Sequence, residues 1–544
     1  MLTIRQRSSL AKVFADAPTP DGVAFTGASL LLGEAMSFQA AFLSDVSAHV
    51  EARIEGGGAA LCEAFWVEGA PAPCPGYPDS DDYYIVDEPG WIPDILRPAR
   101  APLAVEADKW HSLWVTLKTD EPTASPLNVT VALRDLDGGG EARADYSFTV
   151  VPLRLPEQKL LCTNWFHGDC IATHHGVPVF SEAHWALLRA YIACAAEHGV
   201  SLLLTPLFTL ALDTEVGGER PTMQLVRIAR EATKYTFDFS RLERWIALCE
   251  DCGIRHYELS HLFTQWGAKH APKVVATLED GSEARVFGWE TDADCSEYTD
   301  FLTQFAAALL PWLEQRGLKE RCYLHVSDEP GMDTLERYTR HSELIHRVFP
   351  GIPVMDALSN LEFYQMGLLE QPVPASSHIA PFIGSVPSLW TYYCCGQHRD
   401  YVSNRFMAMP SQRNRVLGCQ MWKFDCRGFL QWGFNFWYSI LSKREIDPFT
   451  EMSATDTFPS GDAYAVYPGE GGPLVSLRLK VFREALQDQR ALDLLESLAG
   501  KEAALAALEE GLERPVTFND YPHSEAWQLA ARERINRAIA EAAR

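Results

Sequence analysis

The stretch "KLLCTNWF", residues 159–166, marks where this 544-residue chain changes character. It is short and almost wholly apolar, and polar residues follow it at once. Seven more such runs come after it: "VSLLLTPLF" (200–208), "IRHYELSHLF" (254–263), "RCYLHVSDEP" (321–330), "IPVMDALSN" (352–360), "SSHIAPFIG" (376–384), "LWTYYCCG" (389–396) and "GFLQWGFNFW" (428–437). Near-continuous apolar runs are the mark of strands covered on both faces, as in a parallel sheet. Helical periodicity fills the gaps at 181–198, 240–252, 295–316, 333–347, 361–370 and 410–425, with Gly428 read as the C-cap of the last. Eight runs alternating with crossovers predict a (β/α)8 TIM barrel rather than an open sheet.

Upstream, period-two segments such as "MSFQAAFLS", "SAHVEARIEG", "HSLWVTLKT", "LNVTVALRDLDGGG" and "ADYSFTVVPLRLP" are separated by Gly, Pro and Asp. They predict an antiparallel β-sandwich. "DYYIVDEPGWIPDILRP" reads as a Pro-rich loop between its strands. The expectation is a multidomain α/β chain: a sandwich over 1–155, a catalytic barrel over 156–495 whose last helix is 473–493, and a helical extension over 496–544.

With 73 acidic and 47 basic residues the formal charge is −26, which argues against nucleic acid or an anionic membrane as partner. No run approaches the length of a membrane span, and "MLTIRQRSSLAKVFADAPTP" lacks a signal peptide's apolar core. The 13 cysteines are scattered and odd in number, which suggests neither a disulfide framework nor a zinc site. A cytoplasmic location is expected, and the oligomeric state, a homo-oligomer included, is left open. The 15 Trp are more telling, since sugar clefts use such rings as platforms and packing uses them equally.

In a barrel the strand ends carry the active site. Here they offer Asn164, Trp165 and His167 after the first run, His261 and Trp266 after the third, Asp328 and Glu329 after the fourth, Trp390 and Tyr392 on the seventh, and Trp432 and Asn435 on the eighth. Alternation along the fourth run turns Tyr323, His325, Ser327 and Glu329 inward. Pro330 ends the strand and biases Glu329 to extended geometry, so both acids reach the mouth from one side. Neighbouring acids bracket a sugar ring poorly, whereas a nucleophile and an acid/base from different strands do so well. The pair suits substrate assistance instead. The 2-acetamido carbonyl of a hexosamine attacks its own anomeric carbon, Glu329 protonates the leaving oxygen, and Asp328 orients the acetamido N–H. An adjacent like charge raises one pKa of the pair and helps keep a proton there.

Competing readings of the pair are an exposed loop, a helix cap, and a divalent metal site with His325. Asp333 and Thr334 are better caps, and "HGD" at 167–169 and "HH" at 174–175 stand alone, so no metal is expected. No GxSxG, GxGxxG or GxxxxGK[ST] motif is present. A second "DEP" at 87–89 shows that the tripeptide alone decides nothing.

Seven pieces together carry a resemblance: "PGWIPDILRP" (89–98), "FGWET" (287–291), "HVSDEP" (325–330), "LWTYYCCG" (389–396), "WKFDCRGFLQW" (422–432), "GDAYAVYPG" (461–469) and "SLRLKVFREALQD" (476–488). In these the chain resembles glycoside hydrolase family 123, the β-N-acetylgalactosaminidases. The resemblance implies a sandwich followed by a barrel, retention by substrate assistance, and no cofactor. It implies Asp328 as the acetamido-stabilising acid and Glu329 as the general acid/base. Tyr392 would donate to the acetamido oxygen, and Trp432 would floor the subsite of the cleaved sugar. It places Trp390, His325, Asn164 and His167 among the sugar contacts. The expected substrate is a small oligosaccharide or glycoside ending in a β-linked N-acetylhexosamine, GalNAc before GlcNAc. A β-glycosidase with an enzyme nucleophile and a non-catalytic carbohydrate-binding protein are the rivals.

Overall fold

A computed structural model describes residues 1–123, 126–455 and 457–544. The protein is a multidomain α/β chain with antiparallel sheets at its N-terminus and a helical C-terminal region.

Two sheets make the N-terminal part, one of seven strands and one of five. The period-two segments are strands Ala35–Ser44, Ala48–Glu55, Trp110–Lys118, Leu127–Asp135 and Glu141–Arg154. Their inward residues Phe38, Phe42, Leu113, Val129 and Val131 are fully buried between the sheets, which is why alternation was legible there. One parallel pairing, Gly27–Leu32 with Glu141–Arg154, interrupts the antiparallel order.

The Pro-rich stretch read as loop is in part a strand, Gly90–Pro98, paired with Cys62–Ala72. Pro93 lacks the ladder donor, and the register accordingly shifts between Glu68 and Gly69, which face Ile95 and Pro93 and leave Asp94 bulged out. The second "DEP" is an exposed loop just before this strand. The hairpin Val466–Gly469 and Gly472–Ser476, far along the sequence, completes the seven-stranded sheet by pairing with Gly90–Pro98. The sheet therefore crosses the division expected near residue 155.

Seven of the eight apolar runs contain a strand: Leu161–Asn164, Leu202–Thr205, His256–Leu259, Cys322–Tyr323, Met355–Ala357, Trp390–Tyr392 and Gly428–Gln431. The sixth run is corrected. Ser376–His378 is a 3-10 turn, and the strand lies earlier, at Gln371–Val373, where two prolines hid it from a periodicity reading. All pairings among these strands are parallel. The regular ladders form two three-stranded sheets and one two-stranded sheet rather than one closed eight-stranded ladder. Single parallel bridges, Leu324 to Val354 and Ala375 to Tyr392, lie between these sheets, and the Ser201 amide donates to the Cys162 carbonyl at 2.9 Å.

Long helices follow the first four strands as expected: Glu182–Glu197, Ser240–Asp251, Ser296–Gln315 and Leu335–Val348. Later helices are short, Leu361–Gln365, Ser411–Arg415 and Leu417–Lys423. Gly428 is not their cap. It opens the eighth strand, and a Cβ there would lie 1.9 Å from the Trp390 ring. The chain ends in Leu477–Ala499, Lys501–Glu509 and Glu525–Ala542. Ser476 and Ser524 cap the first and last by accepting from the Leu479 and Trp527 amides. Among the described residues no helix is long and apolar enough to cross a membrane.

Candidate active site

"RCYLHVSDEP" leaves regular pairing after Tyr323, and Leu324, His325, Val326 and Ser327 are all buried. Glu329 is then not extended, as Pro330 had suggested. Its φ is +46°, because its amide is captured by the Ala357 carbonyl at the end of the neighbouring strand, at 3.1 Å. A left-handed non-glycine residue costs about 1–2 kcal/mol. The turn has a consequence: two consecutive side chains that a strand would send to opposite faces both line one pocket of about 700 Å³, counting its open mouth.

Around that pocket stand Trp165, His167, Trp266, Tyr392 and Trp432, so six of the predicted site residues besides Trp165 converge there. The Tyr392 hydroxyl donates to Glu329 Oε1 at 2.7 Å, rather than pointing at open space. Trp432 is fixed by its Nε1 donating to Asp462 Oδ2 at 2.9 Å and by the rings of Phe436 and Phe458, at 5.1 and 5.5 Å. Trp266 is 51% exposed and left-handed, with φ +56°, at the rim. Burial among protein groups, then the charge of Glu329, pushes the Asp328 carboxyl well above the usual carboxylate range.

His167 is a neutral fixture of the wall. Its Nε2 donates to the Trp432 carbonyl at 3.2 Å and its Nδ1 accepts from Arg220 Nη2 at 3.1 Å. Burial, then the Arg220 charge, lowers its pKa to about 3. Arg220 is itself held by Asp169 in a buried fork, with both contacts at 2.8 Å. Asn435 does not line the pocket. It clamps the His167 backbone, accepting from its amide and donating to its carbonyl, both at 2.9 Å.

Three other expected contacts also lie away from the pocket. Trp390 is 1% exposed and packs on Tyr323 and over Gly428, so it is core. Asn164 is buried at its strand end, with Oδ1 lacking a partner among the described residues. His325 lies beneath the pair as the centre of a buried network. Both its ring nitrogens donate to carboxylates, Nε2 to Glu258 Oε1 at 2.7 Å and Nδ1 to Asp356 Oδ1 at 2.9 Å. Glu258 Oε1 also accepts from Trp165 Nε1, and Asp356 Oδ2 from the Tyr338 hydroxyl.

His261, His325 and Asp356 bring three ligand-type atoms within 4.8 Å of one another. With both nitrogens of His325 spent on carboxylates, the ring is an imidazolium and has no lone pair for a metal. Burial alone would lower its pKa, but the bonds to Asp356 and Glu258 outweigh that and raise it to about 9. A raised folded-state pKa stabilises the fold below the unfolded value near 6.5, and that stability is lost as pH rises through 9. Urea unfolding of the protein is expected to lose roughly 3 kcal/mol from this group between pH 6.5 and pH 10. His325→Gln should lack that loss, and equal slopes in the two proteins would contradict the assignment.

Sequence reading missed Asp213 and Gln265, which both line the pocket. Asp213 follows the second strand at a distance, in "LTPLFTLALDTE", where no pattern marks it as a strand end. It also missed Glu258 and Asp356, acids inside apolar runs whose only signal was their burial.

The chain from 165 to 495 matches the family model for the catalytic domain of glycoside hydrolase 123. No curated protein matches it. Among solved structures it is similar to a family 123 glycoside hydrolase from Clostridium perfringens, studied for glycolipid glycan hydrolysis, with 16% identity, a TM-score of 0.76, and coverage of 100% of this chain and 98% of that one. A β-glucuronidase from Parabacteroides merdae aligns with a TM-score of 0.28 and 10% identity over 79% of this chain and 49% of that one, too weakly to bear on the fold. The family model spans well over half the chain, and the likeness in fold is end to end: the chain belongs to glycoside hydrolase family 123 and is a glycosidase.

Proposed function

We propose that the protein is a retaining exo-β-N-acetylgalactosaminidase working by substrate assistance, with the eight parallel strands read as one (β/α)8 ring. The observation that carries this is the placement of two consecutive acids, Asp328 and Glu329, in one pocket. The 2-acetamido carbonyl oxygen attacks C1 as the glycosidic C1–O bond breaks, and Glu329 gives its proton to the leaving oxygen. Asp328 accepts from the acetamido N–H and balances the positive charge of the oxazolinium. Water then attacks C1 as the C1–O bond to the acetamido oxygen breaks and restores the 2-acetamido group, Glu329 takes the water's proton, and the configuration is retained. Tyr392 hands its hydrogen bond from Glu329 to the carbonyl oxygen as the substrate settles, and Trp432 forms the floor. The substrate class is a small glycoside or oligosaccharide with a terminal β-linked N-acetylhexosamine, met in the cytoplasm.

A second reading, an enzyme nucleophile, draws on Asp213, a carboxyl in the pocket outside the pair. The substrate separates the two. An aryl 2-acetamido-2-deoxy-β-galactoside should be hydrolysed at least ~10³-fold faster than the aryl β-galactoside, because substrate assistance takes its nucleophile and its near-attack geometry from the acetamido group. Comparable kcat/KM on both would remove the mechanism, and faster turnover of the aryl 2-acetamido-β-glucoside would shift the sugar to GlcNAc.

A further inference from the structure

Two polar groups in the pocket have no part in the chemistry just described. Asp213 Oδ2 accepts from the Leu441 amide at 3.0 Å, and its carbonyl accepts from the Ser442 hydroxyl at 2.7 Å. All three residues are left-handed, with φ of +39° at Asp213, +58° at Leu441 and +51° at Ser442. Such strain persists only where the surroundings enforce it, and it gathers at functional sites. Gln265 stands beside Asp213. Its Oε1 accepts from the Asp213 amide, which settles which end of the side-chain amide is oxygen. Its Nε2 therefore faces the other way, buried and, among the described residues, without a partner, in a residue only 7% exposed. Buried donors are nearly always paired, so an unpaired one in a residue that lines the pocket is available to an acceptor that a ligand brings when the side chain turns toward it. Neighbouring residues of the wall thus supply a carboxylate acceptor and, behind it, an unpaired amide donor, and a sugar hydroxyl is both donor and acceptor.

We propose that Asp213 and Gln265 form the hydroxyl-reading wall of the site, Asp213 accepting from and Gln265 donating to ring hydroxyls of the terminal sugar that the Asp328–Glu329 pair leaves free. This rests on the glycosidase reading above and deepens it. It gives the carboxyl outside the pair a binding role in place of a nucleophilic one. Burial, partly offset by the Leu441 hydrogen bond, raises its pKa to about 6, so it is ionised and accepting at neutral pH.

The test measures kcat/KM for the unmutated protein, Asp213→Asn and Gln265→Ala on an aryl 2-acetamido-β-galactoside and its 3-, 4- and 6-deoxy forms. Asp213→Asn should lose about 10- to 100-fold on the full sugar, the range of a hydrogen bond to a charged group. One deoxy substrate should lose a similar factor with the unmutated protein and little more with the variant, because the same contact is already gone. A purely structural role would instead lower all four substrates equally, and that outcome overturns the proposal. So does restoration of Asp213→Ala by azide on a dinitrophenyl glycoside, which would make Asp213 the nucleophile. Gln265→Ala reports independently if Asp213→Asn fails to fold. Should the unmutated protein turn over none of the four, the glycosidase reading of the pocket fails first. Calorimetric titration with free N-acetylgalactosamine then decides the wall: weaker binding by Asp213→Asn supports it, and equal binding overturns it.

Discussion

Glu329→Gln is expected to lower kcat/KM on an alkyl 2-acetamido-β-galactoside by about 10²- to 10⁴-fold, the contribution of a positioned general acid. The loss should shrink on a dinitrophenyl glycoside, whose leaving oxygen needs no proton. Asp328→Asn should lose activity by a similar factor on both leaving groups, because its role is with the acetamido N–H and the cation and does not depend on what departs. This contrast between neighbours distinguishes a shared catalytic unit from a pair in which one acid merely supports the fold. Full activity in either variant would end the assignment. A leaving-group dependence in Asp328→Asn, with none in Glu329→Gln, would exchange their roles.

Arg478→Met is expected to destabilise the fold by about 3–5 kcal/mol, the cost of stranding a buried charge. Asp94, bulged from its strand beside Pro93, receives a bidentate contact from Arg478, Nε to Oδ1 at 2.8 Å and Nη2 to Oδ2 at 2.9 Å. Both residues are essentially buried, at 1% and 2% exposure. The Tyr467 hydroxyl also donates to Asp94, and Arg478 donates further to the carbonyls of Gly461 and Tyr464. The clasp joins an N-terminal strand, the completing hairpin and the long helix Leu477–Ala499. Three of the pieces that carried the family resemblance, "PGWIPDILRP", "GDAYAVYPG" and "SLRLKVFREALQD", meet here, and the second also reaches the pocket through Asp462, which holds Trp432. Urea unfolding should show the shift, while turnover per folded molecule stays near that of the unmutated protein. Adding Asp94→Leu should recover part of the loss, since an apolar pair replaces a buried ion pair at little cost. A single-variant loss under about 1 kcal/mol would contradict the clasp.

What the sequence made legible follows from what each pattern measures. Alternation marks a strand with one covered face, so the sandwich strands were readable, while Gly90–Pro98 was not because Pro93 sits at its bulge. Apolar runs mark strands covered twice, and seven of eight were placed. The long helices after the first four strands followed their periodicity. In the second half the connections carry only short helices, Leu361–Gln365, Ser411–Arg415 and Leu417–Lys423, and periodicity had little to report. The acid pair was found because charge at the end of an apolar run is costly without a use. Asp213 lies eight residues past Thr205, the last residue of its strand, where an acid costs nothing in sequence terms. Only the meeting of Leu441, Ser442 and Gln265 brings it to the pocket. Trp390 shows the opposite error: its position at a strand end looked like a sugar contact, and the absent side chain of Gly428 makes it core.

A nucleophile that belongs to the substrate can be weakened step by step in the substrate itself. Aryl β-galactosides bearing N-acetyl, N-fluoroacetyl, N-difluoroacetyl and N-trifluoroacetyl groups keep nearly the same shape while their carbonyl oxygen becomes steadily less nucleophilic. With the carbonyl attacking C1 in the rate-limiting step, log kcat should fall linearly and steeply along the series, by several orders of magnitude in total. A flat series would contradict it and move the nucleophile to the protein, with Asp213 the first carboxylate to suspect.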